Sequence, residues 1–160
     1  MARKPEGDAV FATNHKAGRD YDILETFETG IALKGTEIKS IRQHRVSIDD
    51  AFARIDAGEL FLYNMHVTPY AQGGIYNVEP TRIRKLLMHR QQIERLNGLL
   101  SQKRVTLVPL RLYQSHGLVK VALALGKGKR VYEKRERIRE RETERMLQRT
   151  VRTNQKRFDN

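Results

Sequence analysis

Residues 133–157, EKRERIRERETERMLQRTVRTNQKR, offer a folding chain almost nothing to bury: only Ile138, Met146, Leu147 and Val151 are apolar. These are too few and too scattered for a helical core stripe, so the core must be built from what precedes them. The segment is a solvated helix, a disordered tail, or a piece that folds on something acidic. Arg and Glu are good helix formers, and spacings such as Glu133–Arg137 and Glu142–Arg145 each add about 0.2–0.5 kcal/mol to a helix. Nucleation is costly, and an isolated helix is marginal in water. The expectation is a tail that is disordered when free and becomes helical against a polyanionic groove, driven by counterion release.

Charge supports that reading. The 160 residues carry a net +12, and residues 126–160 hold 13 Lys/Arg against 6 Asp/Glu, a net +7. Such an excess implies a polyanionic partner, nucleic acid or an anionic membrane. There is no Cys, which excludes a disulfide framework, a Cys-ligated zinc and a catalytic thiol. The start, MARKPEGDAVFATNHK, lacks the apolar centre of a secretory signal. No stretch approaches the roughly 18 apolar residues of a membrane span. The expected location is cytoplasmic.

The body, residues 1–130, reads mainly as strands, and residues 131–160 as the tail. Tyr21, Ile23 and Leu24 precede a Glu-Thr-Gly break, after which Ile31 and Leu33 alternate. Residues 51–55 and 60–67 read as a hairpin around Asp56-Ala57-Gly58-Glu59. In its second arm Leu60 and Leu62 face one way, and Phe61, Tyr63, Met65 and Val67 the other. A second hairpin turns at Ser115-His116-Gly117, and Val119, Val121, Leu123 and Leu125 share a face. A short helix covers GTEIKSIRQHR, with Ile38 and Ile41 a turn apart. A long one is expected from Arg82 to Lys103, with Pro80 before it, Thr81 as cap, and Leu86, Leu87, Ile93, Leu96, Leu99 and Leu100 as its stripe. TPYAQGGIYNVEP reads as a linker loop. About six short strands with an inserted helix predict a mainly β fold with helices, a closed β-barrel of the OB type.

The chemistry-bearing groups are sparse. His15, His44, His66, His89 and His116 show no paired metal spacing. Ser47 and Asp49-Asp50 read as turn formers. GKGK at 126–129 lacks the spacing and the Ser/Thr of a phosphate loop, and reads as a hinge with lysines for a nucleic-acid backbone. No catalytic constellation is legible, so no cofactor or metal is expected. Arg82, Arg84 and Lys85 gather where the long helix is expected to begin. Helix dipoles favour acids at that end, so cations there suggest that a ligand phosphate brings the negative charge; a solvated basic turn is the alternative.

In order and spacing, NHKAGRDY, ETFETGIALKGTEIKSIR, VTPY, PTRIRKLL, PLRLY and GKRVYEKR resemble the small protein B family, the SsrA-binding proteins of bacterial trans-translation. The likeness runs from Asn14 to about Arg145. It implies an OB-type barrel and a non-enzymatic adaptor. Such an adaptor binds the tRNA-like domain of transfer-messenger RNA and delivers it to the A site of ribosomes stalled without a stop codon. It implies an RNA-facing set of Asn14, Lys16, Glu28, Leu87 and Lys129, with Arg82, Arg84 and Lys85 as neighbours. Tyr132, Glu133, Lys134 and Arg135 are implied at the decoding centre, and the tail, with Arg139 and Arg145, in the empty messenger channel. Elongation factor Tu and alanyl-tRNA synthetase are implied as functional partners, with a monomer bound 1:1 to RNA. Two positions differ from the family's usual pattern: Glu133, where many relatives have Asp, and His15, where a basic residue is usual. Aromatic residues are only 7% of the chain, which suits recognition of a structured RNA by shape and backbone. An OB-type metal-dependent nuclease and a structural ribosomal protein are the competing readings.

Overall fold

The computed structural model describes residues 9–101, 105–129 and 138–150. The chain divides into two units, Met1–Gly128 and Lys129–Asn160.

The first unit is a ring of strands. Its elements are β1 (Val10–Thr13), α1 (Ala17–Asp20), β2 (Tyr21–Ile31), α2 (Gly35–Arg42), β3 (Val46–Ser47), β4 (Phe52–Asp56), β5 (Glu59–Tyr63), β6 (His66–Val67), β7 (Arg84–Leu87), α3 (Arg90–Leu100), β8 (Val105–Ser115) and β9 (Leu118–Gly128). Seven strands pair in the order β1-β8-β4-β5-β7-β2-β9, and a further β8–β9 pairing closes the sheet on itself. β3 and β6 form a small separate pair. The mainly β class and its likeness to an OB fold follow from this ring. Closure is possible because β8 shares one edge between two partners, β4 at Leu107 and β1 at Arg111–Tyr113. A bulge between Pro109 and Arg111 lies between those partners, which bends the strand and places a residue without an N–H where the ladder is broken.

Both hairpins form, on two-residue turns whose residues have positive φ: Ala57 (49°) and Gly58 (76°), then His116 (50°) and Gly117 (76°). That double left-handed conformation matches the twist of the flanking strands. Leu60, Leu62, Val121, Leu123 and Leu125 enter the core as alternation requires, together with Ile41, Leu86, Leu96 and Leu107. The first hairpin's second arm ends at Tyr63. Asn64 takes a φ of 61° and breaks the alternation, so Met65 and Val67 are buried rather than facing away from Leu60 and Leu62.

Two expectations are corrected. The long helix does not begin at Arg82. Residues 84–87 are a strand between β5 and β2, with Arg84 and Leu86 inward and Lys85 and Leu87 outward. The adjacent leucines mimicked a helical stripe, but their burial has period two. The helix starts at Arg90, and only Ile93, Leu96, Leu99 and Leu100 of the expected stripe lie on it. Nor is Gly126–Gly128 a hinge, because β9 runs through it and Tyr21 pairs with Gly128. Gly126 is a glycine because the Tyr21 ring lies over it: an added Cβ would stand 3.0 Å from the Tyr21 Cβ. Residues 138–150 are helical (α4). No helix among the described residues is long and apolar enough to cross a membrane.

Candidate nucleic-acid interface

Asn14 forms a corner rather than a free contact. Its Nδ2 donates to the Pro109 carbonyl at 2.9 Å, and its Oδ1 accepts from the Lys16 and Ala17 backbone N–H groups, each at 3.1 Å. This carboxamide, nearly buried, fixes where α1 starts. The corner presents Lys16, whose Nζ reaches Asp50 Oδ1 at 2.8 Å. That hydrogen bond and the Asp50 charge raise the Lys16 pKa above its ordinary value. His15 donates its backbone N–H to Asp49.

The cationic cluster of 82–85 has carboxylates of its own. Glu37 on α2 is buried and accepts from Arg82 through Nε at 3.0 Å and through Nη2. Arg84, fully buried, donates Nε to Glu37 Oε2 at 2.6 Å, Nη1 to the Met65 and Arg82 carbonyls, and Nη2 to the Pro80 carbonyl. Burial opposes ionisation of Glu37, but Arg82, the Lys34 N–H and Arg84 outweigh it and hold the carboxyl below its usual value. Burial lowers the Arg84 pKa, against the pull of Glu37. Lys85 is outward and paired with Glu59 at 3.0 Å. The expected phosphate at a helix start is therefore replaced by Glu37 in a clamp between α2 and β7, and Arg84 has no surface to offer a ligand.

What the ring does bring together is an outer face of two adjacent rows. Cross-strand neighbours share a face. One row runs Thr13–Arg111–Ala122–Glu28 across β1, β8, β9 and β2, and the next runs Tyr113–Lys120–Gly30–Leu87 across β8, β9, β2 and β7. Thr13 leads directly into the Asn14 corner, so Asn14, Glu28 and Leu87 are linked through paired strands. Leu87 is 53% exposed. It fits because Gly30 has no side chain: a Cβ there would stand 3.2 Å from that of Leu87. The Tyr113 hydroxyl donates to Glu28 Oε2 at 2.7 Å, and the Arg111 guanidinium lies 5.0 Å from the Tyr113 ring centre.

Sequence reasoning missed Arg111, Tyr113 and Lys120 on this face, and did not foresee that Glu37 is buried against Arg82 and Arg84. Alternation places Lys120 outward beside Val119 and Val121, but only the register of β9 against β2 places it next to Gly30.

Lys129 directly follows β9, half-buried. Tyr132, Glu133, Lys134 and Arg135 lie outside the described residues. Arg139 and Arg145 are on α4, whose residues are all exposed. At helical spacing Arg141, Arg145 and Arg149 line one face, and Glu140 and Glu144 another. Opposite charges there meet at i,i+3, as Arg141–Glu144 and Glu142–Arg145, and like charges stack at i,i+4.

The model of the SmpB protein family matches residues 11–153. The SsrA-binding protein of Bacillus subtilis (strain 168) is 54% identical over 155 residues, covering 96% of this chain and 99% of the relative. That of Caldicellulosiruptor bescii is 55% identical over 135 residues, covering 84% and 85%. A solved structure described as "tmRNA-SmpB: a journey to the center of the bacterial ribosome" superimposes with a TM-score of 0.63 at 49% identity, over 74% of this chain and 84% of that one. The family is one of RNA-binding adaptors and not of enzymes, which removes the nuclease alternative. By its family match and its full-length likeness to these relatives, this chain belongs to the SmpB family of SsrA-binding proteins.

Proposed function

We propose that this chain binds the tRNA-like domain of transfer-messenger RNA on the outer face of its strand ring and delivers it to the A site of ribosomes stalled without a stop codon. The observation that carries this reading is Glu28. A carboxylate on a basic protein repels phosphate, yet this one is held in place by the Tyr113 hydroxyl, with Arg111 across Ala122 in the same row and Lys120 in the next. It suits donors on a base or ribose, while the cations suit phosphates, so one face carries both specificity and generic attraction. Leu87 adds an apolar contact, and the Asn14 corner sets Lys16.

The tail supplies the second half of the function. Its Arg face is drawn to ribosomal RNA lining the messenger channel, which is open only when no messenger fills it. Tyr132 to Arg135 meet the decoding centre, and α4 occupies the channel downstream. Elongation factor Tu and alanyl-tRNA synthetase act on the same RNA. The chain works in the cytoplasm as a monomer, 1:1 with its RNA.

Truncation after Arg130 tests this division. In a gel shift the shortened chain binds transfer-messenger RNA with close to full affinity and a somewhat shallower salt dependence, while peptide tagging in a reconstituted system is lost. Loss of RNA binding on truncation would show that the body is not the binding unit.

A further inference from the structure

The loop between β6 and β7 turns its apolar side chains outward and is pinned while doing so. Ile75 is 92% exposed and Tyr76 77%. The Asn77 carboxamide bridges the loop, accepting from the Tyr70 N–H and donating to the Tyr70 carbonyl, both at 2.9 Å. Gly73 N–H reaches the Tyr70 carbonyl at 2.9 Å, and Tyr76 N–H the Gly73 carbonyl at 3.0 Å. The Thr36 hydroxyl donates to the Tyr76 carbonyl at 3.2 Å and ties the tip to α2. A loop fixed by this many bonds holds two large apolar groups in water, where hydrophobicity alone would fold them back.

Beneath the tip is a groove of about 520 Å³ against α2, lined among others by Lys34, Lys39, Tyr70, Gln72 and Tyr76. It has room for a nucleobase. Two cations line it and no carboxylate does. Among the described residues Lys16, Arg82, Arg84, Lys85 and Arg95 all face carboxylates. Lys39 instead lies over the Tyr70 ring, 5.3 Å from its centre. Aromatic faces with flanking cations are what an unstacked nucleotide requires: the ring stacks on the base and the ammonium groups meet its phosphates.

We propose that this loop is a second RNA contact, separate from the outer face, in which Tyr76 and Ile75 pack on an unpaired base and Lys34 and Lys39 hold its flanking phosphates. The proposal rests on RNA being the ligand of the chain. The unpaired nucleotide belongs either to transfer-messenger RNA or to ribosomal RNA, and two probes separate these sources. Full-length Tyr76→Ala is titrated against purified transfer-messenger RNA and, separately, against ribosomes stalled on truncated messages. The expected result is an affinity loss of about 5- to 100-fold on one probe, restored by Tyr76→Phe, with an unchanged unfolding midpoint. Lys34→Ala with Lys39→Ala makes the salt dependence shallower on the same probe. Intact wild-type binding with Tyr76→Ala equal to wild type on both probes overturns this proposal alone. So does a photocrosslinker at position 76 that captures protein and no RNA. A wild-type chain that binds neither probe overturns the parent reading and this one with it.

Discussion

The Glu37 clamp and helix α4 use the same side chain for opposite ends. Arg84 has no surface in water, and its fork of donors is satisfied by one carboxylate and three carbonyls. Arg139, Arg141, Arg145 and Arg149 on α4 are all exposed. The guanidinium in the clamp joins α2 to β7. Those on α4 lie on a helix that has no core of its own to build. Net charge therefore overstates what a basic body offers a polyanion, since each cation is discounted by the carboxylate that faces it. Of the three cations in TRIRKLL, Arg82 and Arg84 serve Glu37 and Lys85 serves Glu59. Arg111 and Lys120, which stand in no recognisable basic motif, lie on the outer face.

That contrast can be broken from either side. Arg84→Ala leaves Glu37 buried without one of its three partners, and removing one member of a buried pair costs about 3–5 kcal/mol. Urea unfolding should show this loss. A cost near zero would mean that Arg84 is not structural. The same clamp sets an acid limit. Because the folded-state pKa of Glu37 is depressed, its contribution is full above the ordinary 4.5 and is lost as pH falls through the lower folded value. Stability curves of wild type and Arg84→Ala should therefore converge in acid.

On α4 the expected cost falls on function. Prolines at Arg139 and Glu142 break the helix, at about 3 kcal/mol each. Transfer-messenger RNA binding and the unfolding midpoint of the body should hold, while tagging of truncated messages is abolished. Wild-type tagging by that variant would mean that helix formation is not how the tail works. The smallest effect is at Gly30→Ala. The added Cβ presses on Leu87, so stability should change by less than about 1 kcal/mol, while RNA affinity falls several-fold. Unchanged affinity would mean that Leu87 needs no such fit.

Much of this was legible before any coordinates. Both hairpins stood out through their turn residues, α2 through its spacing, and the ring through the count of alternating segments. The adjacent leucines at 86 and 87 misled because a strand with one buried arginine shows no apolar alternation: Arg84 occupies an inward place that a pattern reader assigns to solvent. The outer face was half visible. Glu28 and Leu87 came from family likeness, but their nearness depends on strands β2, β7, β8 and β9 meeting in register, over separations of up to 107 residues between Tyr21 and Gly128. No local pattern encodes such a register. The loop tip went unnoticed because two glycines and two prolines read as a spacer, and exposure is not a property of composition.

The closed ring also sets the order in which this protein can come into being. Among the described residues β9 is the last strand to be made, and it is paired on both sides, with β2 along one edge and β8 along the other. Until it exists both edges stand open, and no subset of the earlier strands can shut the sheet. The contacts that complete the body are thus among the most distant in sequence, which places it with slowly folding, high contact-order topologies. A nascent chain passes most of its synthesis with strand edges exposed to neighbours. Its folding is then completed by one strand, inserted between two that have been waiting for it.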